Sequence, residues 1–199
     1  MLLPFSKANR IEAGCDEVGR GCLCGPVVAA AVILPPDYAN EWINDSKKIG
    51  RQKRLLLTRE IKARALAWSI GRAEVEEIDQ INILNASYLA MHRAIDTLKV
   101  QPEHLLIDGN RYQPKHPIPF DCIIKGDGKY ASIAAASILA KTYRDQLMVD
   151  LAKEYPGYEW EKNVGYPTKK HREGIQQLGH TPLHRKSFRL LPDQIKPNR

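Results

Sequence analysis

"GCDEVGRGCLCGPVVAAAVIL", residues 14–34, sets an acidic pair, Asp16 and Glu17, inside a segment otherwise built for a core. Small and apolar positions lead into the pair, a glycine-flanked arginine follows it, and a run of Val, Ala and Ile closes the stretch. An ionised carboxylate loses much of its hydration on burial, and an apolar interior returns little of it. Either these acids reach solvent at the end of a strand, or positive charge sits among them.

Working outward, residues 11–15 and 26–34 read as buried strands: short apolar runs, rich in Val and Ile, bounded by Gly and Pro. The glycines between them, Gly19, Gly21 and Gly25, superficially resemble a dinucleotide fingerprint. That fingerprint must open a helix, whereas this run opens a proline-led strand. A tight turn whose bare backbone admits a ligand is the better reading of "GRG", with Arg20 lending charge; a plain hairpin turn is the alternative. Past a loop at 35–50, Gly50 serves as N-cap for a helix over 51–70 that places Leu57, Ile61, Ala65 and Trp68 on one face. Residues 76–100 form one or two further helices. "HLLID" (104–108) and "DCIIKGD" (121–127) repeat one design, an apolar strand with an acid at its end. An alanine-rich helix over 131–155 stops at Pro156 and Gly157, and Thr168 caps a last helix ending at Gly179. Imperfect alternation with a strand pair near the start predicts an α/β fold with a mixed sheet.

The chain, at 199 residues and 43% hydrophobic, suits one compact domain, and no apolar run approaches a membrane span. The first ten residues are too short and polar for a secretory signal, so the cytoplasm is expected. Cys15, Cys22, Cys24 and Cys122 form no zinc pattern and read as reduced packing residues; whether the first three respond to redox stays open. The net charge of +7 is concentrated: residues 162–199 hold nine Lys or Arg against two acids, and the rest of the chain balances. A basic segment on a neutral body suits a polyanionic partner, although a solubilising tail carries the same charge.

Three strand-like segments deliver carboxylates near one end: Asp16 with Glu17, Asp108, and Asp127. Strand ends are where distant side chains converge in α/β sheets. Four acids brought together repel one another unless a cation intervenes. Oxygen donors without a Cys or His cluster point to Mg²⁺ or Mn²⁺, which serve phosphoryl chemistry in pairs. Solvated acids at strand ends are the competing account.

Taken in order, "GCDEVGRG", "NDSKK", "LLIDGN", "KGD…SIAAASILAKTYRD" and "GYPTKKH" resemble the bacterial ribonuclease HII family, from Ile11 to about Phe188. The resemblance implies a ribonuclease H-like fold, a central mixed sheet flanked by helices. Residues 157–199 would be a basic C-terminal helical segment of the same single domain that helps hold substrate. It places metal-binding, catalytic acids at Asp16, Glu17, Asp108 and Asp127, the GRG motif at Gly19, Arg20 and Gly21, and a junction-sensing tyrosine at Tyr166. Cys15 and Cys22 depart from the family's usual residues, which touches packing near the turn more than chemistry.

The implied activity is metal-dependent hydrolysis, by a two-metal mechanism with Mg²⁺ or Mn²⁺, of the phosphodiester 5′ of a ribonucleotide. Substrates would be RNA/DNA hybrids and DNA duplexes containing ribonucleotides, with 3′-hydroxyl and 5′-phosphate ends produced. Gly19 to Gly21 would read the ribose 2′-hydroxyl, and Lys47 a phosphate. Lys141, Arg144, His171 and His184 are left between phosphate contacts and ordinary surface residues. The alternative function is a non-catalytic nucleic-acid-binding domain using the basic segment. A monomer without a protein partner or membrane contact is expected, since residues 187–199 lack the glutamine-hydrophobic-aromatic pattern of a sliding-clamp ligand.

Overall fold

The computed structural model describes residues 2–43 and 49–192. A five-stranded mixed sheet runs β1 (Glu12–Val18), β2 (Val27–Ile33), β3 (Ala67–Ala73), β4 (His104–Asp108) and β5 (Phe120–Ile123), in the spatial order β3-β2-β1-β4-β5. β1, β2 and β3 pair antiparallel; β4 and β5 join parallel to β1. The helices are α1 (Arg51–Arg64), α2 (Val75–Asp96), α3 (Ala131–Glu154), α4 (Trp160–Asn163) and α5 (Lys169–Leu178).

The mixed sheet expected from the sequence is present, and small residues explain how it is covered. β2 is buried on both faces, so its side chains serve two cores: Ala29 and Ala31 meet α2, while Val28, Ala30 and Val32 meet α3 and α1. Gly14 of β1 lets α3 approach until a Cβ there would collide with the Ser132–Ile133 backbone. A third core, with Leu23, Met148, Tyr158, Trp160 and Ile175, ties the chain's last third to the start of the loop after β1.

Three boundaries differ from the sequence reading. The helix predicted over 51–70 ends at Arg64, and Trp68 belongs to the edge strand β3. On β3 the residues facing α2 are Ala67, Ser69, Gly71 and Ala73; Gly71 has no side chain because the Ala90 carbonyl occupies that space. With so little hydrophobic mass on its buried face, the strand's period of two is nearly invisible. α2 is broken at Asn82 (φ 66°), whose Oδ1 accepts from the Leu84 and Asn85 amides and so caps the second half. Asp127 does not end β5; it lies on a short 3-10 turn, Gly126–Gly128, three residues beyond it.

The capping prediction for α5 holds. Thr168 Oγ1 accepts from the His171 amide at 3.2 Å, and Gly179 closes the helix at φ 80°. The basic segment is no loose tail as far as residue 192: Trp160, His171, His184 and Arg185 are each fully buried in it. Lys162, Lys169, Lys170, Lys186 and Arg189 are its exposed Lys and Arg residues among those described.

Candidate active site

Strand register assembles the acids. β1 and β4 run parallel with Cys15 level with Ile107, so one residue further Asp16 comes level with Asp108. Alternation then divides the adjacent pair. Asp16 turns toward α3, where the Ser137 hydroxyl hydrogen-bonds it. Glu17 reaches the other side, lining a hollow with Ser87, Tyr88 and Met91 of α2. Both also line one cleft of about 250 Å³ with Asp108, Gly19, Arg20, Gly21, Ser137, Lys141 and Tyr166.

The placement is electrostatically costly. Burial, then the charges of Glu17 and Asp108, pushes the Asp16 carboxyl well above its ordinary range, against the Ser137 hydroxyl and the Glu17 amide (2.7 Å), which hydrogen-bond its charged form. Burial also raises Glu17, tempered by the Arg20 guanidinium at 3.1 Å. Asp108 Oδ1 accepts from the Gly126 amide at 2.7 Å, which brings the turn carrying Asp127 up to β4. Asp127 is buried beside that contact and is not among the described residues lining the cleft. The sequence therefore brings Asp16, Glu17 and Asp108 into one cleft, with Asp127 on the turn bonded to Asp108 and outside the lining.

Gly19 and Gly21 are glycines for different reasons. Gly19 has φ 93°, and a Cβ there would collide with the Arg144 guanidinium. Gly21 is outside the left-handed region and has open space where its Cβ would stand, so nothing within the described fold demands a glycine. A bare backbone facing a cleft in that way is suited to a closely approaching ligand. Tyr166 projects its ring from a turn between Gly165 (φ 87°) and Pro167, with Lys141 Nζ 5.7 Å from the ring centre. Lys47 lies outside the described residues.

Of the basic residues left open, only Lys141 lines the cleft, ion-paired to Asp145 at 2.6 Å. Arg144 is fully buried, and is neither a phosphate contact nor a surface residue. It donates to the carbonyls of Pro26 (3.0 Å), Val164 (2.7 Å) and Cys24 (2.9 Å). Arg185, which the sequence reading passed over, donates to the carbonyls of Gly25 (2.8 and 3.0 Å) and Arg20 (3.0 Å). His171 and His184 are buried as well. Ser137, Lys141 and Arg144 follow one face of α3, so their helical spacing was a usable signal; Arg185 had none. The four cysteines are unpaired, three of them buried, as packing residues should be.

The cleft's oxygen-only acidic donors, with no Cys or His among the residues lining it, fit a hard divalent cation. Fold and site together define an α/β protein whose mixed sheet presents a candidate divalent-metal site at its strand ends. Residues 13–191 match the family model described as Ribonuclease HII. A ribonuclease HII of Parabacteroides distasonis is 63% identical over 195 residues, 98% of each chain. Among solved structures, one titled as the PCNA:RNase HII complex from Archaeoglobus fulgidus superposes with TM-score 0.73 at 22% identity, over 95% of this chain and 98% of that one. Bst-RNase HIII in complex with Mn²⁺ gives 0.64 at 18% identity, over 85% of this chain and 63% of that one. The chain belongs to the ribonuclease HII family. It is an endoribonuclease, a metal-dependent phosphodiester hydrolase of RNA/DNA hybrids, and the alternative of a non-catalytic binding domain is set aside.

Proposed function

We propose that the enzyme cuts on the 5′ side of a ribonucleotide, in RNA/DNA hybrids and at a lone ribonucleotide in duplex DNA, leaving 3′-hydroxyl and 5′-phosphate ends. The observation that carries this reading is the joint lining of one cleft by Asp16, Glu17 and Asp108, by the GRG backbone, and by Tyr166. Asp16, Glu17, Asp108 and Asp127 would hold a pair of Mg²⁺ or Mn²⁺ ions. Such ions supply a lowered pKa for the attacking water and charge stabilisation at the phosphate.

The chain's own groups position the substrate. The open backbone at Gly21, beside Gly19 and Arg20, meets the ribose 2′-hydroxyl, the group that separates RNA from DNA. The Tyr166 ring packs against the sugar of the next nucleotide, fixing which phosphate lies over the acids. Lys141 and Arg20 give the cleft positive charge beside its carboxylates, and Lys47 contacts a phosphate. The Archaeoglobus relative is titled as a PCNA complex; for this chain the partner proposed is nucleic acid.

The test is a DNA duplex with one ribonucleotide, incubated with Mg²⁺ or Mn²⁺ and mapped at nucleotide resolution. Cutting is expected 5′ of the ribonucleotide. Tyr166→Ala should slow that cut at least about tenfold, since stacking of an aromatic on a nucleotide is worth about 1–3 kcal/mol, and Tyr166→Phe should slow it less. A cut elsewhere, or equal small losses on this duplex and on a continuous hybrid, would remove the 5′ assignment or Tyr166 respectively.

A further inference from the structure

Cys24, His171 and His184 bring a thiol and two imidazoles within 4.8 Å of one another in the third core, well suited at first sight to a soft metal. The hydrogen positions decide otherwise. A backbone or indole N–H can only donate, and a neutral imidazole has one N–H and one acceptor nitrogen. Trp160 Nε1–H donates to His171 Nε2 at 2.8 Å, so that nitrogen is an acceptor. The Thr181 amide donates to His184 Nδ1 at 2.9 Å, so that nitrogen is one too. The remaining protons follow from the network. His184 carries its proton on Nε2 and points it at His171 Nε2, 3.2 Å away, where it shares the lone pair with Trp160. His171 carries its proton on Nδ1 and donates it to the Tyr166 carbonyl at 2.9 Å.

Every ring nitrogen is then in use. A cation at the two Nε2 atoms would displace a proton from His184 and face the Trp160 N–H. The Cys24 thiol it would need as thiolate is held protonated by burial. Burial likewise keeps His184 neutral, lowering it to about 4, and lowers His171. The cluster is a proton-ordered relay, and its last acceptor is the backbone of the tyrosine at the cleft.

That backbone is gripped from several sides. The Tyr166 amide donates to the Asn163 carbonyl at 2.9 Å, and the Thr168 amide to the Tyr166 carbonyl at 2.8 Å. Asn163 Oδ1 accepts from the Gly165 amide at 2.8 Å, and Arg144 holds the Val164 carbonyl. His171 is the grip that links this turn to the buried core beneath α5.

We infer that His171 is a positioning residue for ribonucleotide recognition: its Nδ1–H, oriented by the hydrogen bonds at Nε2, fixes the Tyr166 carbonyl and thereby the place of the ring in the cleft. This rests on the reading of Tyr166 given above. Misplacing a positioning group by about 1 Å can cost up to about 10²-fold in rate.

The test uses His171→Asn, whose amide nitrogen overlays Nδ1 and keeps a donor for the carbonyl, and His171→Leu, which fills similar space without one. Both lose the bonds at Nε2, so the melting temperature of each should fall. At a temperature where both are folded, kcat and KM are measured on the single-ribonucleotide duplex and on a continuous hybrid. His171→Leu should lower the ratio of the two kcat values about threefold to tenfold, and His171→Asn should restore most of it. In a Tyr166→Ala background, His171→Leu should produce no further change in the ratio.

If Tyr166→Ala is selective and His171→Leu is not, or if the two losses add in full, the positioning role of His171 is wrong while Tyr166 stands. If Tyr166→Ala itself leaves the ratio unchanged, the Tyr166 reading falls and takes this one with it. Should the Leu variant fail to fold, ¹⁵N spectra of the parent's imidazoles decide. His171 is expected as the Nδ1–H tautomer and His184 as Nε2–H at pH 7.5. The opposite tautomers, or a melting temperature raised by stoichiometric Zn²⁺, would overturn the relay.

Discussion

The acid cleft and the buried cluster beneath α5 handle charge in opposite ways. At the strand ends, Asp16 is buried against two other carboxylates, and the donors that reach it do not offset the cost. Under the GRG loop, Arg144 and Arg185 are equally buried and have no carboxylate ion-pair partner among the described residues, yet their guanidinium nitrogens find the carbonyls of Arg20, Cys24, Gly25, Pro26 and Val164. The two histidines beside them stay neutral and close their own network. A buried group with its hydrogen bonds complete is holding something in place. One left in repulsion is kept for a partner that the fold itself does not supply.

The comparison breaks most visibly at Asp108. Asp108→Asn keeps the shape and removes a charge, so cleavage should fall by about 10³-fold or more at saturating metal, while duplex binding holds or tightens as repulsion from phosphate is relieved. Gel-shift and single-turnover assays check both. Near-parental cutting would show that the crowded carboxylates are not the metal site.

On the satisfied side the loss is in stability. Arg144→Met removes the guanidinium from the Pro26 and Cys24 carbonyls and leaves Val164 only the weak Cys22 thiol donor; each unsatisfied carbonyl costs about 1–3 kcal/mol, and the melting temperature should fall by on the order of 10 °C. An unchanged melting curve would mean that water replaces the guanidinium at no cost, and the frame described for the GRG loop would dissolve.

A smaller effect of opposite sign is expected at the acids. With chelator present, Asp16→Asn relieves repulsion in a buried site and should melt a few degrees higher than the parent, at about 2–4 °C per kcal/mol for a chain of this size. Mg²⁺ or Mn²⁺ should then stabilise the parent more than the variant. Destabilisation of the metal-free protein by Asp16→Asn would mean that this carboxylate is already satisfied.

The remaining effect is the pH dependence contributed by His184. Its folded pKa of about 4 lies below the ordinary 6.5, so the unfolded chain takes up the proton first as pH falls. The associated stability is complete above about pH 6.5 and is lost progressively down to about 4. His184→Asn does not titrate and should show a shallower fall in melting temperature across that window. Parallel curves for parent and variant would mean His184 is charged or exposed when folded.

How much of this was legible beforehand differs by region. The mixed sheet, the long alanine-rich helix, the Thr168 cap and the three acids of β1 and β4 are visible in the chain because each rests on local pattern: a buried run, a helical repeat, a capping hydroxyl. Asp127 was visible as an acid but not as part of a 3-10 turn, since the turn is held by the Gly126 amide bonding Asp108 eighteen residues earlier. β3 was hidden because tight helix contact leaves its inner face only small residues.

In sequence Arg144 looks like an ordinary basic residue on a helix, and Arg185, His171 and His184 look like surface residues in a basic segment. Only the tertiary structure decided that they are internal. Their hydrogen-bond partners lie up to 165 residues away, on the loop after β1 and the turn before α5. The sequence by itself determined which groups are the candidates for the chemistry, because carboxylates and glycines are required by type. What holds them in place was decided by long-range carbonyl and imidazole partners, and a backbone carbonyl is the same in every residue, so no pattern of side chains announces it.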